Sequence, residues 1–331
     1  MAPAKMRTET NKRLEEIGGL EELYPLLAAQ NFTAGWHKKR PSLWREPKTD
    51  FRPTLWRYAD AYAALTRAGE WIGTDLAERR NLMLFNPVGD NDYASLNTLV
   101  AAYQMIKPGE HARTHRHSPS ALRLVLEADA GLFTVVDGAK LPMVQGDVLL
   151  TPGGCWHSHF HDGKSESYWI DILDVPLVHL LQPMFFEEYP GGTQPVTDAP
   201  QTSPFWFPYS AVVAGLASAP PDINGIKRHV LDSEPFIHSM QLTWMEFPAE
   251  ARTGVIRSTA SRFIIGFEGC GYVRIGESRF NWERGDILAI PAWTPYEIFA
   301  ETNARIFEAS DEPVLRKLGL HFGAGGLLAK K

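Results

Sequence analysis

The sequence predicts an all-β-dominated protein built from two copies of one β barrel behind an N-terminal helical arm. Three observations carry this reading. From about Leu96 the chain breaks into short strand-like runs such as LRLVLEA, LFTVVDG and DVLLTP. Gly, Pro and Asp punctuate them about every ten residues, as in an antiparallel sandwich or barrel. The runs then repeat: ALRLVLEADAGLFTVVDG answers SRFIIGFEGCGYVRIGE, and VQGDVLLTPGGCWHSH answers ERGDILAIPAWTPYEI. Arg123 lies over Arg262, Gly146-Asp147 over Gly285-Asp286 and Pro152 over Pro291, all at one constant offset, as two copies of a β unit require. Helical periodicity, by contrast, is concentrated ahead of these runs.

In chain order, residues 1–80 read as the arm. Leu14, Ile17, Leu20, Leu23, Tyr24 and Leu27 recur at helical spacing, broken by Gly18-Gly19 into two short helices. After a Trp-, Pro- and Lys-rich tract, LWRYADAYAALTRAGEWI forms a third helix opened by Pro53. In that tract basic residues alternate with aromatics, which suits packing against another subunit better than a nucleic-acid surface. Residues 81–189 are the first barrel and 236–331 the second. Between them, 190–235 contains PGGTQPVTDAPQTSPFWFPYS and reads as an ordered crossing segment, because its aromatics need burial.

The 331 residues are 44% hydrophobic and 22% charged, ample for a buried core. A net charge of −6 gives no long-range attraction to phosphate backbones or anionic lipid, so neither nucleic acid nor membrane is an expected partner. Cys155 and Cys270 allow at most one bridge, which a fold of this size would not depend on. The polar start and the lack of a long apolar run point to a cytoplasmic protein.

The chemistry concentrates in the first barrel. In PGEHARTHRH, His115 and His117 stand two apart on a strand and leave the same face, so they can share one ion. His157 follows a Gly-Asp turn and a Pro-Gly-Gly turn, where a returning hairpin strand can bring it to the first pair. Three imidazoles would cap one face of a metal and leave the other open. In the second copy the equivalent positions read Gly254, Ile256 and Tyr296, so that barrel should be metal-free. His111 and His161 read as solvated and auxiliary.

Gly109, His115 and His117 match the first cupin motif, and Gly146, Pro152, Gly154 and His157 the second, so the unit resembles a cupin barrel, a double-stranded β-helix or jelly roll. The carboxylate usual after the paired histidines is replaced by Ala121 and Leu122. Longer strings, among them AERRNLMLFNP, YQMIKPGE, HRHSPSALRLVLE, YWIDILDVPLV and FFEEYP, make the chain similar to the bicupin gentisate/salicylate 1,2-dioxygenases, the 5-nitrosalicylate branch among them, from about Arg52 to His321. The resemblance implies one Fe(II) per chain on His115, His117 and His157, dioxygen as co-substrate, a small aromatic 2-hydroxy acid as substrate, and a homo-oligomer, a tetramer by family. It assigns Arg79 rather than Arg80, with Gln104, Arg123 and His159, to orienting the substrate and stabilising bound oxygen. Arginine suits a carboxylate through its planar pair of donors. Asp171 and Asp174 match acidic positions that could orient a ligand histidine or accept a proton. A strand-end salt bridge is the competing reading for Arg123, and Arg262 in the second copy favours it.

Where gentisate enzymes commonly read WHDHG, this chain has Trp156-His157-Ser158-His159-Phe160. Loss of the acid and gain of a ring should let a 5-nitro or 5-halo salicylate be turned over at least as well as gentisate. 1-Hydroxy-2-naphthoate is a third substrate option. A non-enzymatic small-acid-binding bicupin and a metal-dependent isomerase are the other classes. The first needs no intact ligand set, and the second normally keeps the carboxylate absent here.

Overall fold

Alternation and turn chemistry decide which residues pair. The computed structural model describes residues 9–74 and 79–323; residues 1–8 of the polar start, and Ala77-Glu78 of the AERR string, lie outside the described residues. Contact density separates Met1–Lys48 from Thr49–Lys331. The first unit holds α1 (Glu9–Glu16) and α2 (Leu20–Ala29), parted by the two glycines, with Tyr24 stacked on His37 at 4.1 Å.

The second unit opens with β1 (Thr54–Trp56), α3 (Tyr58–Ala68) and β2 (Arg80–Met83). Then come β3 (Val100–Ile106), β4 (His111–His117), β5 (Ala121–Glu127), β6 (Leu132–Val136) and β7 (Ala139–Pro142). They are followed by β8 (Val148–Thr151), β9 (His157–His161), β10 (Ser167–Leu173), α4 (Val175–Leu181) and β11 (Phe186–Glu188). The crossing segment supplies β12 (Trp206–Phe207), α5 (Tyr209–Ser218) and β13 (Lys227–Val230). The rest is β14 (Gln241–Phe247), β15 (Arg262–Glu268), β16 (Gly271–Ile275), β17 (Ser278–Trp282), β18 (Ile287–Ile290), β19 (Glu297–Ala300), β20 (Ala304–Ser310) and α6 (Glu312–Lys317).

Two six-stranded sheets, β12-β8-β5-β10-β3-β2 and β1-β18-β15-β20-β14-β13, match strand for strand. They pack face to face: Leu122, Leu124 and Ile170 of one meet the core that also holds Phe263, Ile265 and Phe307 of the other. Burial on both faces explains why these strands read as nearly continuous apolar runs. Each large sheet closes a barrel with a smaller one, β11-β4-β9-β6-β7 in the first and β17-β16-β19 in the second.

The repeat extends further than the strand runs. β1 precedes the first barrel but pairs with β18 of the second, whereas β12 precedes the second and pairs with β8 of the first. Each entering segment is capped the same way. Asp286 accepts the Tyr58 N–H at 2.9 Å, and Asp147 accepts the Tyr209 N–H at 2.8 Å. The crossing segment is therefore half of a repeat. Thr54-Leu55-Trp56 joins that edge as a strand, so the third helix begins at Tyr58 and not at Pro53.

The constant offset needs correction. Arg123 lies opposite Leu149 on β8, and the equivalent place opposite Leu288 on β18 belongs to Ile264; Arg262 corresponds to Ala121. The cause is a loop, Ala128–Gly131 in the first barrel against Gly269-Cys270 in the second, two residues shorter. A two-residue slip keeps every side chain on its face, so the sequence pattern does not reveal it. By the same register His115, His117 and His157 correspond to Ile256, Ser258 and Tyr296, since Ile256 bridges Tyr296 as His115 pairs with His157. Gly254 is displaced from the set, which still contains no imidazole. Among the described residues no helix is long and apolar enough to cross a membrane, and Cys155 and Cys270 carry free thiols.

Candidate metal centre and substrate site

Strands β4 and β9 run antiparallel with His115 directly opposite His157, after an irregularity between Ala112 and His115. His117, two residues on, keeps the same face. The three imidazoles bring one ligand atom each to within 4.8 Å of one another. Every ring is held by its Nδ1, which donates to a main-chain carbonyl two residues away. The acceptors are Arg113 at 3.1 Å for His115, Pro119 at 2.8 Å for His117 and Cys155 at 3.1 Å for His157. A carbonyl can only accept, so the Nδ1 carries the proton and the lone pair sits on Nε2. The Nε2 of His157 is buried without a hydrogen-bond partner. Burial, reinforced by the charges of Arg79, Arg123 or both, pushes His115 down to about 3, lowers His117, and holds His157 well below the usual imidazole range. Three neutral nitrogen donors with an orphaned buried lone pair fit a divalent transition metal.

Beside them lies a buried charged group. Asp171, on β10, stands between two guanidiniums, 3.6 Å from Arg123 Nε and 3.8 Å from Arg79 Nη2, and accepts the Trp169 indole N–H at 2.8 Å. Arg123 is 1% exposed and donates to Thr151 Oγ1, and Arg79 donates to Gln104 Oε1 at 3.1 Å. Burial draws the Arg123 guanidinium down to about 10. A buried guanidinium, Arg123, and a half-buried one, Arg79, sharing one carboxylate leave an excess of positive charge, a favourable place for an anionic ligand. His159 lies fully buried on the same face as His157, its ring tilted against Trp169 at 5.6 Å with neither nitrogen partnered. Burial and Arg123 keep it far below its ordinary pKa.

Several expectations change here. Neither Asp171 nor Asp174 orients a ligand imidazole, because main-chain carbonyls already occupy every Nδ1. Asp171 holds the arginines; Asp174 accepts from the Ser120 N–H at 2.8 Å and from the Ser239 hydroxyl in the second barrel. Arg80 is engaged by Glu110 and the Ile72 carbonyl, which leaves Arg79 as the arginine beside Gln104. Ser158 and Phe160 alternate away from His157 and His159. Phe160 stacks between Phe133 and His111, so neither residue shapes the substrate side. His161 is structural, its Nε2 donating to the Ser165 carbonyl at 2.5 Å. Arg262 pairs with Glu308 from a position two residues before the one matching Arg123, so it is no precedent for Arg123. Sequence reasoning missed Trp169 and Phe186, the latter stacked on His115 at 5.2 Å from β11. Their only signal was membership of the strings YWIDILD and FFEEYP.

Residues 102–173 match the Cupin domain. The chain is 33% identical to a gentisate 1,2-dioxygenase from Aquipseudomonas alcaligenes over 90% of its length and 94% of the relative's. It is 30% identical to a 5-aminosalicylate 1,2-dioxygenase from Comamonas sp, covering 91% and 89%. The chain belongs to the gentisate/salicylate 1,2-dioxygenase family. This dioxygenase is thus a ring-cleaving oxidoreductase of bicupin architecture. Its fold is also that of the crystallised salicylate 1,2-dioxygenase from Pseudaminobacter salicylatoxidans, with TM-score 0.84 and 24% identity over 92% of this chain and 96% of the other.

Proposed function

We propose that the enzyme uses Fe(II) to insert dioxygen between the carboxyl- and hydroxyl-bearing carbons of a 2-hydroxybenzoate, either gentisate or a 5-substituted salicylate. The observation that carries this is the convergence of three histidines, each with its Nδ1 spent on a main-chain carbonyl, next to a buried Arg123 and a half-buried Arg79 that share one carboxylate. His115, His117 and His157 would hold the ion, which would supply a redox-active centre for bringing an aromatic hydroxy acid and dioxygen together. The chain's own residues do the rest. Arg123 and Arg79 hold the substrate carboxylate through charge-assisted hydrogen bonds, with Asp171 fixing both guanidiniums. Gln104 positions Arg79. His159, neutral and unpartnered, donates to or accepts from the phenolic oxygen or the reacting oxygen, while Trp169 walls off water.

In this reading residues 81–189 bind one iron per chain, and residues 236–331 bind none. The enzyme works as a cytoplasmic homotetramer. The test is an oxygen-electrode screen of the Fe(II)-loaded protein with gentisate, 5-aminosalicylate, salicylate, 5-nitrosalicylate and 1-hydroxy-2-naphthoate. Uptake of one dioxygen per ring consumed is expected with at least one 5-substituted substrate; no uptake with any of them refutes the proposal. Metal analysis returning two ions per chain, or light scattering that gives a monomer, refutes the corresponding part.

A further inference from the structure

The two barrels are tied by a reciprocal pair of clamps. Asp174, just after β10, accepts from the Ser120 N–H at 2.8 Å, donates its own N–H to the Ser120 carbonyl at 3.3 Å, and accepts the hydroxyl of Ser239 from the opposite barrel. Asp311, just after β20, does the same with the Ser261 N–H at 2.8 Å, the Ser261 carbonyl at 3.2 Å, and the hydroxyl of Thr98 from the first barrel at 2.5 Å. In each copy the clamped serine also accepts from the neighbouring turn, Gly153 N–H at 3.1 Å to Ser120 Oγ and Ala292 N–H at 3.2 Å to Ser261 Oγ. The four-way connection is duplicated; only what hangs on it differs.

In the first barrel it holds a metal ligand. Pro119, one residue before Ser120, offers the carbonyl that receives the His117 Nδ1–H at 2.8 Å, and the turn that donates its Gly153 N–H to Ser120 Oγ leads through Cys155 into His157. In the second barrel the place of His117 is taken by Ser258. We infer that Ser239, although it belongs to the metal-free barrel, is a positioning residue for the metal centre. Its hydroxyl fixes Asp174, Asp174 fixes the Ser118–Ser120 turn, and that turn fixes the ring of His117. The inference rests on the metal-site reading above. It gives the second barrel a role: without that hydroxyl the Asp174 carboxylate, buried at the interface, would re-aim toward other donors and loosen the turn.

The duplication supplies its own control. Ser239→Ala breaks the clamp that carries a ligand, and Thr98→Val breaks the equivalent clamp that carries none. Both variants, the parent and Ser239→Thr, which keeps the hydroxyl, are compared by melting of the metal-free full-length chain, by Co(II) affinity in competition with a chelator, and by the Co(II) visible spectrum. Comparable losses of Tm are expected for Ser239→Ala and Thr98→Val. Only Ser239→Ala should weaken Co(II), by about tenfold, and shift its spectrum, with Ser239→Thr close to the parent. Co(II) affinity and spectrum unchanged in Ser239→Ala overturn the inference, as does an equal metal loss in Thr98→Val. Should Ser239→Ala fail to fold, Asp174→Asn, which keeps an acceptor for Ser120, takes its place with the same expectation. A parent that binds no Co(II) overturns the metal-site reading itself and this inference with it, an outcome distinct from a variant-specific null.

Discussion

Replacing Arg123 by Ala separates its two roles. Its guanidinium is 1% exposed, 3.6 Å from Asp171, and donates to Thr151. Removing one partner of a buried pair costs about 3–5 kcal/mol. Here Asp171 keeps the Trp169 N–H at 2.8 Å and Arg79 at 3.8 Å, which sets the cost near the lower figure, about 3 kcal/mol. For a chain of 331 residues, at about 2.1 cal/mol/K per residue, this lowers Tm by roughly 4 °C. The catalytic cost adds to this. A substrate carboxylate deprived of a charge-assisted donor loses about 1.5–3 kcal/mol, roughly a 10- to 150-fold fall in kcat/KM. Arg123→Lys should recover part of the stability and little of the rate, because an ammonium cannot offer the planar fork. The assays are metal content, Tm and steady-state oxygen uptake on the same preparations. Unchanged kcat/KM in Arg123→Ala would refute the substrate role and leave only the strand-end ion pair. Loss of iron from Arg123→Ala in a folded protein would show that the residue supports the ligands instead.

Three further outcomes follow from the same geometry. His115→Ala, His117→Ala and His157→Ala should each abolish stoichiometric Fe(II) binding and ring cleavage together, measured by metal analysis and oxygen uptake, because a two-imidazole remnant is a poor site; a variant that keeps both contradicts the ligand assignment. Burial raises Asp311 from 3.8 to about 6, so between those values the folded chain holds a proton that the unfolded chain has lost, and stability falls as pH rises through that window. The share is on the order of 3 kcal/mol, and Asp311→Asn should flatten the fall in Tm between pH 4 and 6; an unaltered slope counts against the raised pKa. Ser158→Asp should lower Tm by burying an unpaired carboxylate yet leave the ratio of kcat/KM for gentisate over 5-nitrosalicylate within about twofold, because that position faces away from His157 and His159. A tenfold shift toward gentisate would restore the sequence-based reading of the Trp156–Phe160 string.

By itself the sequence determined the elements whose information is local. His115 and His117 share a face because strand side chains alternate, whatever the rest of the chain does. The turn around Gly146-Asp147, the glycine break between α1 and α2 and the recurrence of one strand-turn pattern are equally local, so the duplicated barrel and the shared face of His115 and His117 were legible in advance, while the approach of His157 rests on the pairing of β4 with β9. What only the tertiary structure decided depends on partners far away in the chain. Alternation has period two, so a two-residue difference in one loop shifts the repeat register and leaves the pattern intact; that shift moved the counterpart of Arg123 from Arg262 to Ile264. Whether Asp171 serves a histidine or two arginines, and whether Asp174 belongs to the metal site or to the seam between barrels, turned on which strands lie side by side. The exchange of β1 and β12 between barrels was likewise hidden, because an edge strand's own residues encode its readiness to pair but not the sheet that receives it.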